Sequence, residues 1–416
     1  MTIALDARDR SMISGEHGPA AAMAMRILGA YAEATGAPGL IDIVGAHIDG
    51  CLYHGQASLD FVERLVEGGG RVRVPTTLNV GSFDLIHPEL MRVPEAEARP
   101  ARRLMQAHLQ LGCQATFTCA PYQTLFRPRF GDQIAWGESN AIVFANSVIG
   151  ARTNRYGDFI DLCCAITGRA PASGLHRSEN RRGRILFRLE EVGDAPDDML
   201  FVGVGLIVGE RSGDRVPVIE GLPQPRDEDQ LKALGAAAAT TGAIALFHAV
   251  GITPEARTTD EALGHVAPEE TIVITHADID RARARLSSVS DGAVVSAVSL
   301  GTPHFSHGEW MRFLPLLRRI APGRRIPIYV NTGRMTLEKL LQAGALAGTE
   351  AFSLIPVADT CTYVTAILKD VHGVVMTNSG KWAHYAPGNI GVTVAFGDME
   401  DCILSAAAGR IVRARR

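Results

Sequence analysis

The 416-residue sequence predicts an α/β fold, with mixed or parallel sheets flanked by helices and organised in several lobes. Short apolar runs alternate with helix-like stretches along the chain, as strands and helices do in α/β proteins. Most of these runs end in a polar or glycine-rich turn. The chain is also too long for one simple core, so we expect lobes at residues 1–180, 181–290 and 291–416.

The first predicted elements form a strand–loop–helix–strand alternation. Residues 18–35, rich in alanine and methionine, predict a helix, and the apolar run 40–44 predicts a buried strand. A second helix is predicted over residues 61–66 and ends at three consecutive glycines. Residues 71–75 then predict the next strand. This order of elements is typical of an α/β domain.

The remainder of the chain is predicted to continue in the same way. Further helices are expected over residues 101–111, 159–166 and 227–240. The other predicted strands are short apolar runs, at residues 141–144, 199–208, 272–275, 293–298, 326–330 and 352–356. Gly203 and Gly205 lie inside the 199–208 run and Gly209 follows it, whereas a dinucleotide-binding loop would place its glycines after a strand and at another spacing. We therefore interpret them as packing positions.

Composition excludes several classes of partner. A net charge of −4 and 21% charged residues do not indicate binding to nucleic acid or to an anionic membrane. No apolar run approaches the roughly 20 residues of a spanning helix, and the first residues lack the pattern of a signal peptide. The seven cysteines are scattered and form no CxxC pair, which favours free thiols or metal ligands over disulfides. We expect a cytoplasmic protein.

Three turns from distant parts of the chain are candidates to face one metal centre. Cys119 lies just before a proline turn, Cys361 ends an Ala-Asp-Thr-Cys turn, and Thr302 lies in a Gly-Thr-Pro-His turn. Thiolates hold iron–sulfur clusters, but a lone cysteine is often a small buried hydrophobic residue. Both readings of Cys119 and Cys361 stay open at this point.

Two further turns carry groups suited to proton transfer. His47 directly follows a predicted strand, which indicates either a substrate or proton-transfer loop or a simple hydrogen-bonded turn. Lys381 stands between a glycine and a tryptophan. It either contacts an anionic group, with a pKa changed by burial, or is an exposed lysine beside a packed ring.

Hydrogen-bond donors are unusually dense between residues 136 and 158. Guanidinium groups form two-pronged hydrogen bonds with oxyanions. We therefore favour a region that binds a carboxylate or a phosphate over a solvated loop with salt bridges. Its members are Ser139, Asn140, Asn146, Ser147, Arg152, Asn154 and Arg155.

Together these motifs resemble the catalytic domain of the aconitase X family, in order and over nearly the whole chain. The matching segments are residues 47–50, 75–79, 118–122, 137–140, 145–147, 150–155, 301–304 and 379–381, of which 150–155 is quite specific. The resemblance implies an aconitase-like, multi-lobed catalytic domain that lacks the small swivelling domain of the family. It also implies a hydro-lyase that uses an iron–sulfur centre as a Lewis acid.

The family dehydrates either cis-3-hydroxy-L-proline, to Δ1-pyrroline-2-carboxylate, or mevalonate 5-phosphate. The run at residues 51–55 and the threonine turn resemble the hydroxyproline branch more closely. Because the catalytic part takes up these 416 residues, the resemblance implies either a separate small subunit, and hence a heterodimer, or an incomplete chain. A serine of the swivelling domain can then serve as the base. A non-catalytic protein that binds small acids on the same scaffold is the competing interpretation.

The resemblance also assigns roles to residues. Cys119 and Cys361 are the metal ligands, and one group completes the shell, from the set Cys51, Thr302, Asp359 and His304. Thr302 stands where members with a fuller cluster carry cysteine, so a [2Fe–2S] cluster is favoured over a three-cysteine one. His47 and Lys381 are the catalytic candidates. The substrate-binding candidates are Thr76, Thr77, Asn79, Ser139, Asn140, Asn146, Ser147, Arg152, Asn154, Arg155 and Ser379.

Overall fold

The computed structural model describes residues 3–123, 126–193, 197–321 and 326–414. The chain divides into two compact units. Unit 1 comprises Met1–Ser82, Pro94–Arg184 and Ala245–Ala267, and unit 2 comprises Phe83–Val93, Ile185–Ile244 and Pro268–Arg416. Each unit is therefore assembled from segments that are far apart in the sequence.

Unit 1 contains a small parallel sheet and an antiparallel strand pair. The parallel sheet has the order β3-β2-β4, and β1 pairs with β5. The strands are β1 (Leu40–Asp42), β2 (Ala46–Ile48), β3 (Thr76–Leu78), β4 (Ala135–Trp136), β5 (Arg169–Pro171) and β8 (His248–Ala249). The helices are α1 (Ala7–Ile13), α2 (Pro19–Ala34), α3 (Gln56–Glu67), α4 (Glu95–Gln110), α5 (Ser139–Phe144), α6 (Ile160–Thr167) and α9 (Thr259–Ala262), and α5 continues as a π-helix (Ala145–Ile149).

Unit 2 is built on a five-stranded parallel sheet of order β12-β11-β10-β13-β14 and on a second parallel group of order β7-β6-β9. The strands are β6 (Ile185–Glu190), β7 (Pro217–Glu220), β9 (Glu270–Thr275), β10 (Val295–Phe305), β11 (Ile328–Thr332), β12 (Leu354–Val357), β13 (Val374–Thr377) and β14 (Thr393–Phe396). The helices are α7 (Asp198–Ser212), α8 (Glu228–Thr241), α10 (His276–Ala284), α11 (His307–Leu317), α12 (Arg334–Gln342), α13 (Gly380–Ile390) and α14 (Met399–Ala408).

The predicted α/β class is confirmed, with helices packed on parallel sheets. Apolar residues from β10, β11 and α11 form a fully buried core on one side of the large sheet. The other side is covered by α7 and α13, with the buried Trp382 among the packed residues. In parallel sheets with both faces covered, only the strand ends remain for polar groups. The polar residues in the last part of β10 and the polar turns after β12 and β13 lie at one such end.

Two of the predicted strands are helices instead. Residues 141–144 belong to α5, whose first turn is capped by the Glu138 carboxylate accepting from Ala141 N at 2.6 Å. Residues 199–208 belong to α7, which is buried on nearly all sides. A helix that is apolar all round shows no 3.6-residue period, so its sequence is easily taken for a buried strand.

The third error concerns residues 71–75, which form no strand. Val72 N and Arg73 N donate instead to Leu111 O and Ala165 O, at 2.9 and 2.8 Å. The strand begins at Thr76, one residue after the predicted run. In contrast, the helices predicted at 18–35, 101–111, 159–166 and 227–240 are present as α2, α4, α6 and α8.

Within the described residues, no helix has the length and apolarity to cross a membrane.

Candidate active site

In unit 1, candidate residues gather at the carboxyl ends of β2, β3 and β4. His47 lies within β2 itself, and not in a loop after the strand as predicted. Its Nδ1 shares a hydrogen bond of 2.8 Å with Thr77 Oγ1. The Thr77 hydroxyl donates its one hydrogen to Ala46 O, so its oxygen accepts from His47. Nδ1 of His47 therefore carries the proton, and Nε2 carries the lone pair.

The imidazole of His47 is fully buried, and this sets its charge. Burial lowers the pKa of His47 to about 3, although the nearby Glu138 carboxylate opposes the shift. The ring is therefore neutral at physiological pH. Its Nε2 has no hydrogen-bond partner among the described residues, so it is available as an acceptor.

Two asparagines at the same sheet edge also carry an unsatisfied atom. Asn79 donates to Asp49 Oδ1, and Asn140 donates to the carbonyl of Cys119 at 3.0 Å. The Oδ1 atoms of both asparagines are buried and unbonded within the described part of the chain. Most buried polar atoms in proteins are paired, so such orphans are typical of a site completed by a ligand or water.

Most of the predicted donor field is used to hold the backbone together. Asn146 accepts from Thr153 N at 3.1 Å and from Arg181 Nη1 at 3.0 Å, and donates to Thr153 O and Ala245 O. The Ser147 hydroxyl accepts from a backbone amide at 2.8 Å. These two side chains hold the π-helix against neighbouring segments, and their hydrogen-bonding capacity is largely spent.

Most of the other substrate-binding candidates in unit 1 also make hydrogen bonds within the protein, and one of them is exposed. Asn154 bridges a carbonyl and an amide of the 173–175 segment, and Thr76 donates to Val74 O at 2.8 Å. Ser139 donates to the Glu138 carboxylate at 3.3 Å. Arg152 donates through Nη1 to Ser178 Oγ at 2.8 Å, while its Nε is buried without a partner among the described residues. Arg155 is exposed.

In unit 2, two of the three candidate segments meet, although Thr302 lies inside β10 and not in a turn after a strand as predicted. Thr302 Oγ1 and Cys361 Sγ share a hydrogen bond of 3.0 Å. Burial raises the pKa of the Cys361 thiol to about 11, although Thr302 and the Lys381 ammonium favour the thiolate. Ser379 caps α13 by accepting from Trp382 N at 3.0 Å, and its hydroxyl donates to Thr302 O.

A small pocket of about 40 Å³ opens beside this contact in unit 2. The polar groups that line it are Lys232, Thr302, Glu309, Asn378, Ser379 and Lys381. Lys381 is only 7% exposed, which excludes the interpretation as an exposed surface lysine. The pocket therefore combines two cations, a carboxylate and two hydroxyls at the carboxyl end of a parallel sheet, where α/β proteins bind ligands.

Three further metal candidates are already engaged or neutral. His304 Nε2 donates to Thr360 O at 3.1 Å, and the Asp359 carboxylate accepts two hydrogen bonds from Arg334. Cys51 lies in unit 1, where burial and neighbouring Cys113 and Asp161 raise its thiol pKa well above the usual value. In neither unit do three described His, Cys, Asp or Glu side chains form a metal-binding group.

The site in unit 2 contains charged residues that the sequence analysis missed. Arg334 lies just after the end of β11. Functional groups often lie just after strands in α/β proteins, so this position could have identified Arg334 as a candidate. Lys232 and Glu309 lie on helices far apart in the sequence. Nothing local in the sequence indicates that these two side chains meet.

Comparison with known proteins decides the family. The sequence matches three consecutive family models, described as the aconitase X first, second and third domains, over residues 2–179, 183–284 and 295–408. The chain belongs to the aconitase X family. The solved structure of Thermococcus kodakaraensis aconitase X in its holo-form superposes on this aconitase X chain with a TM-score of 0.86 and 31% identity, covering 97% of this chain and 100% of that one.

Curated relatives of this aconitase X chain carry two kinds of name. Cis-3-hydroxy-L-proline dehydratases of Pseudomonas aeruginosa and Hypocrea jecorina are 42% and 40% identical, over 98% of this chain and 70% and 69% of theirs. The phosphomevalonate dehydratase large subunit of Methanosarcina mazei is 34% identical, over 98% of both chains.

The aconitase X fold suggests an iron–sulfur centre, and the described residues fit one in their donor chemistry. Iron–sulfur clusters are held by thiolates. Cys361 offers a buried thiol beside the Thr302 hydroxyl, and Cys119 in unit 1 is buried at 6% exposure. The carboxylate of Asp359 and Nε2 of His304 are taken up by protein partners. This leaves sulfur as the main donor.

Proposed function

We propose that this chain is the catalytic part of a hydro-lyase that removes water from cis-3-hydroxy-L-proline and yields Δ1-pyrroline-2-carboxylate. One observation carries the choice of substrate. Two relatives named for that reaction are 40–42% identical, whereas the phosphomevalonate dehydratase large subunits are 31–34% identical. Each unit by itself offers groups that suit the reaction class, since unit 1 has buried acceptors without partners among the described residues and unit 2 has buried cations.

The elimination makes two demands on the protein. A proton next to a carboxylate must be removed, and the hydroxyl on the neighbouring carbon must leave. When bound, an iron–sulfur centre supplies Lewis acidity at the leaving hydroxyl. We propose that Cys119 and Cys361 hold it with Thr302 beside them, and that a [2Fe–2S] type fits two thiolates.

The side chains of the chain itself supply the other contacts in this proposal. Arg152 and Arg155 bind the substrate carboxylate, because a guanidinium stabilises the enolate-like charge that develops there. The free acceptors on Asn79 and Asn140 bind the substrate ring N–H or hydroxyl. Proton transfer is assigned to the neutral His47, through its free Nε2, and to Lys381.

We also propose a small swivelling-domain subunit as partner, acting with this chain in the cytoplasm. Its support lies in the relatives. Those named as large subunits are matched over 98–99% of their length, and the hydroxyproline dehydratases over 69–70%. In both groups the named enzyme contains more polypeptide than the part this chain matches.

Mevalonate 5-phosphate is the second candidate substrate. The observation that favours it is that phosphomevalonate dehydratase large subunits are 34% identical over 96–98% of this chain. Both substrates are therefore assayed anaerobically on iron-loaded protein, with and without a small swivelling-domain subunit. Dehydration of cis-3-hydroxy-L-proline alone supports the proposal, dehydration of mevalonate 5-phosphate alone overturns the substrate, and binding without turnover identifies a non-catalytic protein.

The metal assignment is tested with a matched pair of cysteine variants. We expect Cys119→Ser to lose most of its iron, and its dehydratase rate should fall at least about 100-fold. Removing a side chain that supports a bound metal typically has an effect of this size. Cys113→Ser is the control, because Cys113 has the same 6% exposure in the same unit. It should keep both iron and activity. A Cys119→Ser protein with full iron and full rate would contradict the assignment.

A further inference from the structure

The turn that carries Cys361 is joined to the start of α12 by an ion pair between Asp359 and Arg334. Arg334 Nε donates to Asp359 Oδ1 at 2.8 Å, and Arg334 Nη2 donates to Asp359 Oδ2 at 2.6 Å. The Asp359 side chain is fully buried, while the Arg334 side chain is 27% exposed. Both oxygens of Asp359 are thus held by the two-pronged geometry that arginine forms with carboxylates, which fixes orientation as well as distance.

A segment from far back in the chain completes the support of this turn. Asp84 Oδ2 accepts from Ala358 N at 2.9 Å, and Leu85 N donates to Asp359 Oδ2 at 3.3 Å. Asp84 is fully buried, and both segments belong to unit 2. On the other side of Cys361, Thr362 N donates to Asn331 Oδ1 at 3.0 Å. The backbone is therefore anchored on both sides of the cysteine.

The backbone at Asp359 also requires this support. Its φ of 61° lies in the left-handed region, which few residues other than glycine adopt without strain and in which aspartate and asparagine are enriched. Strained positions persist where surrounding contacts hold them, and they cluster at functional sites. Cys361 lies two residues later, with its Sγ 3.0 Å from Thr302 Oγ1.

We propose that Arg334 and Asp359, backed by Asp84, form a positioning clamp that presets the Cys361 thiol for metal binding, and that Asp359 is not itself a metal ligand. Every oxygen of Asp359 already accepts a hydrogen bond from protein. Without the clamp the left-handed turn relaxes and the thiol moves away from Thr302. The inference rests on the proposed function only in taking Cys361 as a ligand.

The test uses the full chain and three variants that remove the clamp, Arg334→Gln, Asp359→Asn and the double variant, with Arg334→Lys as the conservative substitution. Asparagine keeps the preference for a left-handed backbone, and it removes the charge and one of the two acceptor oxygens. The exposed pair Arg285 and Glu210 provides the control, as Arg285→Gln. The first measurement is the rate at which iodoacetamide modifies Cys361 before iron is added, located by peptide mass analysis. The second is iron and sulfide content with the EPR spectrum after anaerobic loading.

We expect each single variant to raise the rate of Cys361 modification at least about tenfold, because local opening exposes this buried thiol. The double variant should match the singles, since all three remove one interaction, and Arg285→Gln should match the parent. Iron content should fall equally in Arg334→Gln and Asp359→Asn. An Arg334→Lys variant should recover part of both properties.

Two results would overturn the clamp. One is unchanged Cys361 modification in the single variants. The other is an altered EPR spectrum in Asp359→Asn but not in Arg334→Gln, which would make Asp359 a ligand. Because thiol modification is measured without metal or substrate, a failure of the proposed dehydration leaves this result standing, and the two failures remain distinguishable.

Discussion

At the scale of single residues, Lys232 is a buried cation of unit 2 whose charge depends on nearby carboxylates. Its side chain is 2% exposed and its Nζ contacts Asp229 at 3.0 Å, the Glu309 carboxylate and His304 O. Burial by itself would lower the pKa of Lys232, but the two carboxylates outweigh it and hold the pKa above its usual value. Burial raises the pKa of Glu309 to about 7, against the pull of Lys232. The ammonium therefore compensates the buried Glu309, while Asp229 is also paired with Arg312 at 3.3 Å.

Removing this cation should be costly. We expect Lys232→Met to lower the free energy of unfolding by about 3–5 kcal/mol, because breaking a buried ion pair leaves uncompensated charge. The measurement is urea unfolding at pH 7.5. Lys339→Met, at an exposed position of α12, should change stability by less than about 0.5 kcal/mol. Equal effects of the two substitutions would show that the Lys232 network contributes little.

At the scale of elements, the packing of α7 on α8 depends on glycine. A Cβ at Gly205 would lie 2.4 Å from Leu234 O, and one at Gly209 would lie 2.5 Å from Ala238 O. Both obstacles are helix backbone, which cannot move aside as a flexible side chain can. These glycines belong to a segment that we predicted to be a strand, but they allow two helices to approach closely. Their predicted role in packing is confirmed.

We expect Gly205→Ala to destabilise the protein by about 1–3 kcal/mol, the usual range for overpacking a close contact. Gly388 lies in α13 with no atom within 4 Å of an added Cβ. Gly388→Ala should therefore be neutral or stabilise by up to about 1 kcal/mol, since alanine favours the helix. Thermal unfolding of both variants is the measurement, and an unchanged midpoint for Gly205→Ala would refute the packing account.

At the scale of the whole molecule, buried neutral histidines make the fold sensitive to acid. Burial lowers the pKa of His47 and His176 to about 3, with the Arg181 and Arg152 charges adding to the effect at His176. Burial also lowers the pKa of His108 to about 4. The usual value is 6.5. Since these folded-state values lie below the unfolded one, the histidines contribute stability that is present above pH 6.5 and lost as the pH falls toward 3–4.

Urea unfolding between pH 7.5 and 5 measures this dependence. Each buried histidine should cost up to about 2 kcal/mol by pH 5, from about 1.4 kcal/mol per pKa unit. His108→Gln should flatten the profile, and His54→Gln, at an exposed position, should leave it unchanged. A stability that does not fall below pH 6.5 would show that these imidazoles are not held neutral.

The amino-acid sequence was sufficient for the class of fold and for the places where chemistry gathers. Apolar runs with polar turns at their ends predict strands whose carboxyl ends carry functional groups. Thr302 near the end of β10, Cys361 after β12 and Ser379 after β13 do lie at that end of one sheet. The motif order was also sufficient for the family. The assignment of roles to the site residues and the division into three lobes stay predictions.

Only the tertiary structure decided the type of the fully apolar elements and the partners of the buried charges. Residues 199–208 are helical because α8 offers a surface that glycines can approach, which no local period encodes. The same holds for Arg334 and Asp359, 25 residues apart, and for Asp84, which joins them from 274 residues away. The charge of a buried group depends on its neighbours in space, and the neighbours follow only from the folded chain.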